Sequence, residues 1–270
     1  MKPIRTLFYG DAGSGKSAIG VSAFWDFKTG KKLREGRWLL IGQEDNDALG
    51  VPEELIRRFV SPKEDMLKFA RDFSLYLEAA VAAARKPNAP EVYVIDSLSE
   101  WNHLFLFEHV KSAPSADKWD KYMEAKDRFM AAVQTLDPRV LHAHIIATAR
   151  VDVRKKGIMA KRKTDSGSVS EVAGDDPGYW SDFKYVPAME GWPRKNMSHY
   201  FDIVSYVEAD VADLKMPDGK IRRGTAHNYY FVPAGDSLVK NRWEHQWLAA
   251  PPGDRKNPIL DRLRLLFGRL

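Results

Sequence analysis

The sequence predicts an α/β protein: a mostly parallel sheet flanked by helices, with an antiparallel β-hairpin extension toward the C-terminal end. Three observations predict it. Short, continuously apolar runs at 6–9, 38–42, 91–96 and 142–148 alternate with stretches at helical spacing. Strands separated by helices pair in parallel and are covered on both faces. An alternating run at 201–207 and the turn Pro217-Asp218-Gly219-Lys220 then mark the hairpin, with 228–233 pairing back.

The first run enters the turn Gly10-Asp11-Ala12-Gly13-Ser14-Gly15-Lys16-Ser17, which fits G-x-x-x-x-G-K-[ST], the phosphate loop between a strand and a helix. Its glycines let backbone N–H groups turn inward, and a helix from Ala18 to Phe27 points its positive end at the same spot. Gly10 through Ala18 would cradle ATP, Lys16 would reach the β- and γ-phosphates, and the Ser17 hydroxyl would hold Mg²⁺. A dinucleotide fingerprint does not fit, because the glycines fall at 10, 13 and 15.

Farther along, 28–36 reads as a basic, glycine-containing turn, and 38–42 as a strand ending in Glu44, Asp45 and Asp47. A helix over 62–85 carries Met66, Phe69, Ala70, Phe73, Leu77 and Val81 at helical spacing until Pro87 and Pro90 stop it. The run to Asp96 is too continuously apolar for a surface hairpin. Ser97-Leu98-Ser99-Glu100 has the capping pattern of a helix start. Two helices fill 98–136, broken around 113–115, with Trp101, Phe105, Phe107, Trp119, Tyr122 and Phe129 expected in the core. The fourth strand ends at Thr148.

At 270 residues and 44% hydrophobic, the chain can bury a full core. One domain over 1–250 is expected, with a long basic and aromatic loop inserted at 149–200 and a tail helix in 251–270. With no cysteine, disulfides, zinc fingers and thiol catalysis are excluded. No apolar run approaches the roughly 18 residues that span a bilayer, so a cytoplasmic protein without a membrane partner is expected. The net charge is +5, and its excess sits in one segment: Arg150, Arg154, Lys155, Lys156, Lys161, Arg162 and Lys163 against Asp152 alone. Such a cluster marks a nucleic-acid contact, a protein partner or a solvated loop. Tyr179, Trp180, Phe183, Tyr185 and Trp192 follow closely and would suit base stacking.

Phosphoryl transfer needs charge neutralisation and a positioned water. Asp96, ending an apolar strand, is the candidate second Mg²⁺ ligand (the Walker B acid). Glu44 is the candidate base for the attacking water, with Asp45, Asp47 and Glu100 as rivals. Thr148 would sense the γ-phosphate and relay hydrolysis to the segment starting at Arg150.

The spacing of Gly10–Ser17, Glu44, Asp96 and Thr148, followed by a long loop and a β-hairpin, resembles the RecA-like P-loop ATPases, and among them the compact phage-encoded ones linked to single-strand annealing and recombination. Val239-Lys240-Asn241-Arg242-Trp243 adds to the likeness, because RecA carries Lys-Asn-Lys in the strand region that reaches a neighbouring subunit's nucleotide. The resemblance implies that Lys240 and Arg242 are trans-acting cations that stabilise transition-state charge. It also implies that the 150–163 segment is a DNA-binding loop. The sensing position departs, being glutamine in RecA and Thr148 here. The implied partners are single-stranded DNA, further copies of the chain in a ring or filament with nucleotide at the interfaces, and a single-strand binding protein. The implied activity is Mg²⁺-dependent ATP hydrolysis coupled to assembly on DNA. Two other readings stand beside it: a small-molecule P-loop kinase, whose lid arginines the basic segment would mimic, and a nucleotide-gated adaptor or helicase-loading partner with little turnover.

Overall fold

A computed structural model describes residues 3–41, 49–59, 66–111, 114–153, 160–163, 169–172, 185–189, 199–215, 221–230 and 240–241. In chain order the elements are β1 (Arg5–Gly10), α1 (Lys16–Ser22), β2 (Trp25–Asp26), β3 (Lys31–Lys32), β4 (Gly36–Ile41), β5 (Ile56–Phe59), α2 (Met66–Ala83), β6 (Val92–Asp96), α3 (Leu98–Lys111), α4 (Lys118–Thr135) and α5 (Pro138–Leu141). There follow β7 (His144–Val153), β8 (Ala160–Lys163), β9 (Val169–Val172), β10 (Tyr185–Pro187), β11 (Ile203–Lys215), β12 (Ile221–Tyr230) and β13 (Lys240–Asn241).

The main sheet runs β12-β11-β1-β7-β6-β4-β5, with β10 on β7 and β13 on β11. From β11 to β5 every neighbouring pair is parallel, while β10, β12 and β13 are antiparallel to their partners. The expected mostly parallel α/β sheet with an antiparallel extension is therefore present. Its strands read as unbroken apolar runs because alternate side chains enter two different cores. Leu7, Tyr9, Leu39, Ile41, Tyr93, Ile95, Ile145 and Ala147 pack with Phe73, Trp101 and Phe129 of α2, α3 and α4. Phe8, Trp38, Leu40, Val92, Val94 and Ile146 pack on the other face with Ile19 and Val21 of α1.

Several elements differ from expectation. Helix α1 stops at Ser22 rather than 27, because Phe24 and Trp25 turn back into the α1-face core and start the small β2–β3 hairpin. Strand β5 carries Arg57 and Arg58 between Ile56 and Phe59, too little apolar pattern to stand out. The aromatic face of α4 is only partly core: Phe129 is buried, whereas Trp119 is 68% exposed and stacks on Tyr122.

The largest correction concerns the insertion. Strand β7 does not end at Thr148; it continues to Val153, pairing with β10. The physical signal is the period-two run Ala147, Ala149, Val151, Val153, which the intervening Arg150 and Asp152 disguise. Lys161, Arg162 and Lys163 also lie on a strand, β8, paired with β9, and not in a loop. Arg154, Lys155 and Lys156 lie outside the described residues, as do Tyr179, Trp180, Phe183, Trp192 and the tail helix expected in 251–270. The half-buried Tyr185 ring stacks on Tyr206, and its carbonyl accepts from the Tyr9 hydroxyl.

The hairpin is also longer than expected: β11 runs on past 207 to Lys215, and its return strand β12 begins at Ile221 rather than 228. Strand β11 pairs with β1 only as far as Val207, opposite Gly10; residues 208–215 pair with β12 alone. This two-stranded arm extends about 26 Å past the phosphate-loop edge at ~3.3 Å per residue.

Candidate nucleotide site

The loop between β1 and α1 has the backbone of an anion cradle. Gly13 and Gly15 take φ of 76° and 88°, the left-handed region that glycine enters without penalty. Gly10 is required for a different reason: a Cβ there would run into the Val207 carbonyl of β11. Ser14 is buried and its N–H donates to the Asp11 carbonyl at 3.2 Å. Lys16 curls across the loop, donating to the Asp11 carbonyl at 2.5 Å and the Ser14 Oγ at 3.2 Å. Its ammonium thus sits on the cradle itself, with partners that an incoming phosphate can replace.

Asp96 stands 2% exposed at the end of β6. Its Oδ1 accepts from the Thr148 hydroxyl at 2.5 Å and its Oδ2 from the Trp38 Nε1–H at 3.3 Å. Both donors are neutral. Among the described residues no cation pairs with this buried carboxyl group, whose ionised form is costly without one, so this arrangement favours a bound cation. The Asp96–Ser97 peptide is cis.

Sheet geometry brings this acid under the loop. Asp96 follows Val92 and Val94, and Thr148 follows Ile146, all facing α1. Helix α1 lies directly over these two strands: a Cβ on Gly20 would come within 3.0 Å of Val94 Cγ1 and 3.4 Å of Ile146 Cγ2. Ser17 is three residues nearer the loop, about 4.5 Å of helix rise. Asp96 and Thr148 are two residues nearer the same edge, about 6.6 Å of strand. Ser17, Asp96 and Thr148 therefore come to within about 2 Å of one level along the sheet, on one face. Among the described residues no group of three or more His, Asp or Glu forms a protein-only metal cage. Magnesium bound through substrate phosphates needs only one or two protein ligands, so this donor set fits Mg²⁺–ATP.

Around this centre, Ser97 Oγ accepts from the Glu100 N–H at 3.3 Å, the expected cap of α3. Glu100 reaches Arg150 Nη2 at 3.3 Å, and Ser99 Oγ accepts from the Arg150 N–H at 2.9 Å. From the arm, His227 Nδ1 lies 3.0 Å from the Ser14 carbonyl oxygen, and its ring covers Gly15. Sequence reasoning missed Trp38, Gly20, Ser99 and His227. Trp38 and Gly20 read as ordinary core, and His227 is opposed to the loop only by the arm's register.

Of the remaining candidates, Glu44 and Arg242 lie outside the described residues. Lys240 is on β13 opposite Val204, itself level with Leu7, so its backbone sits about 10 Å of strand short of Gly10. Lys161, Arg162 and Lys163 form a separate two-stranded unit with β9, with Glu171 opposite Lys161. Among the described residues no helix is long and apolar enough to cross a membrane. No protein-family model matches the chain, and a comparison with curated proteins finds no match.

Proposed function

We propose that this chain is a Mg²⁺-dependent, RecA-like ATPase that binds single-stranded DNA and couples ATP state to self-assembly in DNA recombination, annealing or replication. The observation that carries the reading is the close seat of Gly20 on Val94 and Ile146, which sets Ser17 close to the level of Asp96 and Thr148. Lys16 binds the β- and γ-phosphates, and Ser17 and Asp96 hold Mg²⁺, which neutralises phosphate charge. A water oxygen attacks the γ-phosphorus as the bond to the β-phosphate oxygen breaks, and Glu44 takes the water's proton. Strand β7, between β1 and β6, supports a sensing role for Thr148 because its hydroxyl already touches Asp96. The cations Arg150, Arg154, Lys155, Lys156, Lys161, Arg162 and Lys163 contact DNA phosphates, giving salt-sensitive and sequence-tolerant binding. Lys240 and Arg242 act on a neighbouring copy's nucleotide.

The test is ATP hydrolysis with and without single-stranded DNA, alongside mass measurement in both states. The expected result is DNA-stimulated phosphate release, abolished by Lys16→Ala, with trapped ATP in Glu44→Gln. Absence of hydrolysis together with phosphoryl transfer to a small acceptor would replace this reading with the kinase one.

A further inference from the structure

Resting on that reading, we infer that Arg150 is a DNA-phosphate contact latched in the DNA-free protein by Glu100, so that DNA binding releases a carboxylate beside the nucleotide. Arg150 pairs in register with Gly10, the first residue of the phosphate loop, and opens the basic segment. Its backbone is fixed from both sides: its N–H donates to Ser99 Oγ at 2.9 Å and its carbonyl accepts from the Ala188 N–H at 2.7 Å. Only the side chain is left to respond. That side chain is 57% exposed and its Nη2 lies 3.3 Å from Oε2 of Glu100, whose side chain is 22% exposed.

A guanidinium binds phosphate as readily as carboxylate, with two parallel hydrogen bonds. A half-exposed ion pair is weak enough for a DNA phosphate to displace. The Glu100 backbone stays in place, because its N–H is capped by Ser97 Oγ on the first turn of α3, four residues after Asp96. The freed carboxylate stays on the sheet edge that holds Asp96 and the phosphate loop, where it adds a second negative group to that of Glu44, the acceptor of the attacking water's proton. Linkage is reciprocal: whatever weakens the Glu100 contact must strengthen DNA binding through Arg150.

The test measures binding of a labelled oligothymidylate to the nucleotide-free full chain, as wild type, Glu100→Gln, Arg150→Ala and the double variant. Glu100→Gln keeps the capped N–H, so its helix start is preserved. The expected result is two- to fivefold tighter binding by Glu100→Gln, fivefold being about 1 kcal/mol. That gain should vanish in the Arg150→Ala background, and Arg150→Ala should lower the salt slope by about one. A gain that persists without Arg150 would show only the loss of a negative charge and overturn the latch. So would unchanged or weaker binding by Glu100→Gln, or no oligothymidylate binding by wild type. Hydrolysis is scored separately: Arg150→Ala should raise DNA-free turnover and lose stimulation. Latch-dependent binding in a protein that hydrolyses no ATP would sink the ATPase reading and keep the latch. Stimulated hydrolysis with no Glu100→Gln effect on binding would do the reverse.

Discussion

The Thr148 hydroxyl donates a 2.5 Å hydrogen bond to Oδ1 of Asp96 across the adjacent strands β7 and β6. Both residues are buried, so neither group can turn to water for a substitute. Partners one step removed from a metal ligand typically hold 10- to 100-fold of its affinity or activity. Thr148→Val keeps the shape of the side chain and removes the donor. Turnover should fall about 10- to 100-fold, with a higher Mg²⁺ requirement, while Thr148→Ser stays near wild type. Mg²⁺ titrations of ATP hydrolysis check this; equal profiles for valine and serine would separate Thr148 from the metal site.

Gly20 gives a second test, because it sets the height of α1 over the sheet. A Cβ there would already lie 3.0 Å from Val94 Cγ1, so a side chain as large as leucine needs either Val94 and Ile146 to give way or α1 to rise. Gly20→Leu should separate Ser17 from Asp96 while leaving the phosphate loop's own backbone intact. Fluorescent ATP binding without Mg²⁺ should change little, and the Mg²⁺-dependent gain in affinity should shrink at least tenfold. An unchanged gain would show that Ser17 and Asp96 do not share one ion.

The parallel core and the loop were legible because their chemistry is local in the chain. Gly13 and Gly15 carry the required φ, and Asp96 closes a run that both cores keep apolar. What escaped is what only register creates. Trp38 meets Asp96 from 58 positions away and His227 meets Ser14 from 213. Arg150 looked like loop because charge is the louder signal than a period-two pattern, yet β10 turns that pattern into paired strand. Trp119 fits the helical spacing of a core residue, but its turn of α4 lies before the first residue that helix buries, Ala125.

Acid sensitivity follows from His144. Burial, with a smaller contribution from nearby Arg34, pushes its pKa down to about 4 from 6.5. Its Nδ1 accepts from the Ile4 N–H at 3.3 Å, which requires the neutral ring. A base whose folded pKa is depressed contributes fully above pH 6.5 and loses that contribution as the pH falls toward 4, because the unfolded chain binds the proton first. The loss amounts to at most about 3 kcal/mol. Thermal melts should therefore show Tm falling from pH 6.5 to 4. His144→Gln, which keeps an acceptor without a titrating group, should flatten that fall; an unchanged slope would assign it to carboxylates elsewhere.

Trp101 ties the core to the site. Its ring is fully buried, 4.5 Å from Phe73 of α2 and 4.9 Å from Phe129 of α4. Those contacts hold the first turn of α3, which carries Ser99 and Glu100. Removing a buried Trp side chain costs about 3–5 kcal/mol, a large part of the roughly 5–15 kcal/mol that holds a domain together. Trp101→Ala should lower the urea midpoint accordingly, and Trp101→Phe by much less. Under conditions where both variants remain folded, the alanine form should also lose DNA stimulation of ATP turnover, since the turn that fixes Glu100 against Arg150 is no longer braced. Full stimulation in a folded Trp101→Ala protein would mean that the Arg150 N–H bond to Ser99 Oγ, together with the Ser97 cap, holds that turn of α3 without the ring.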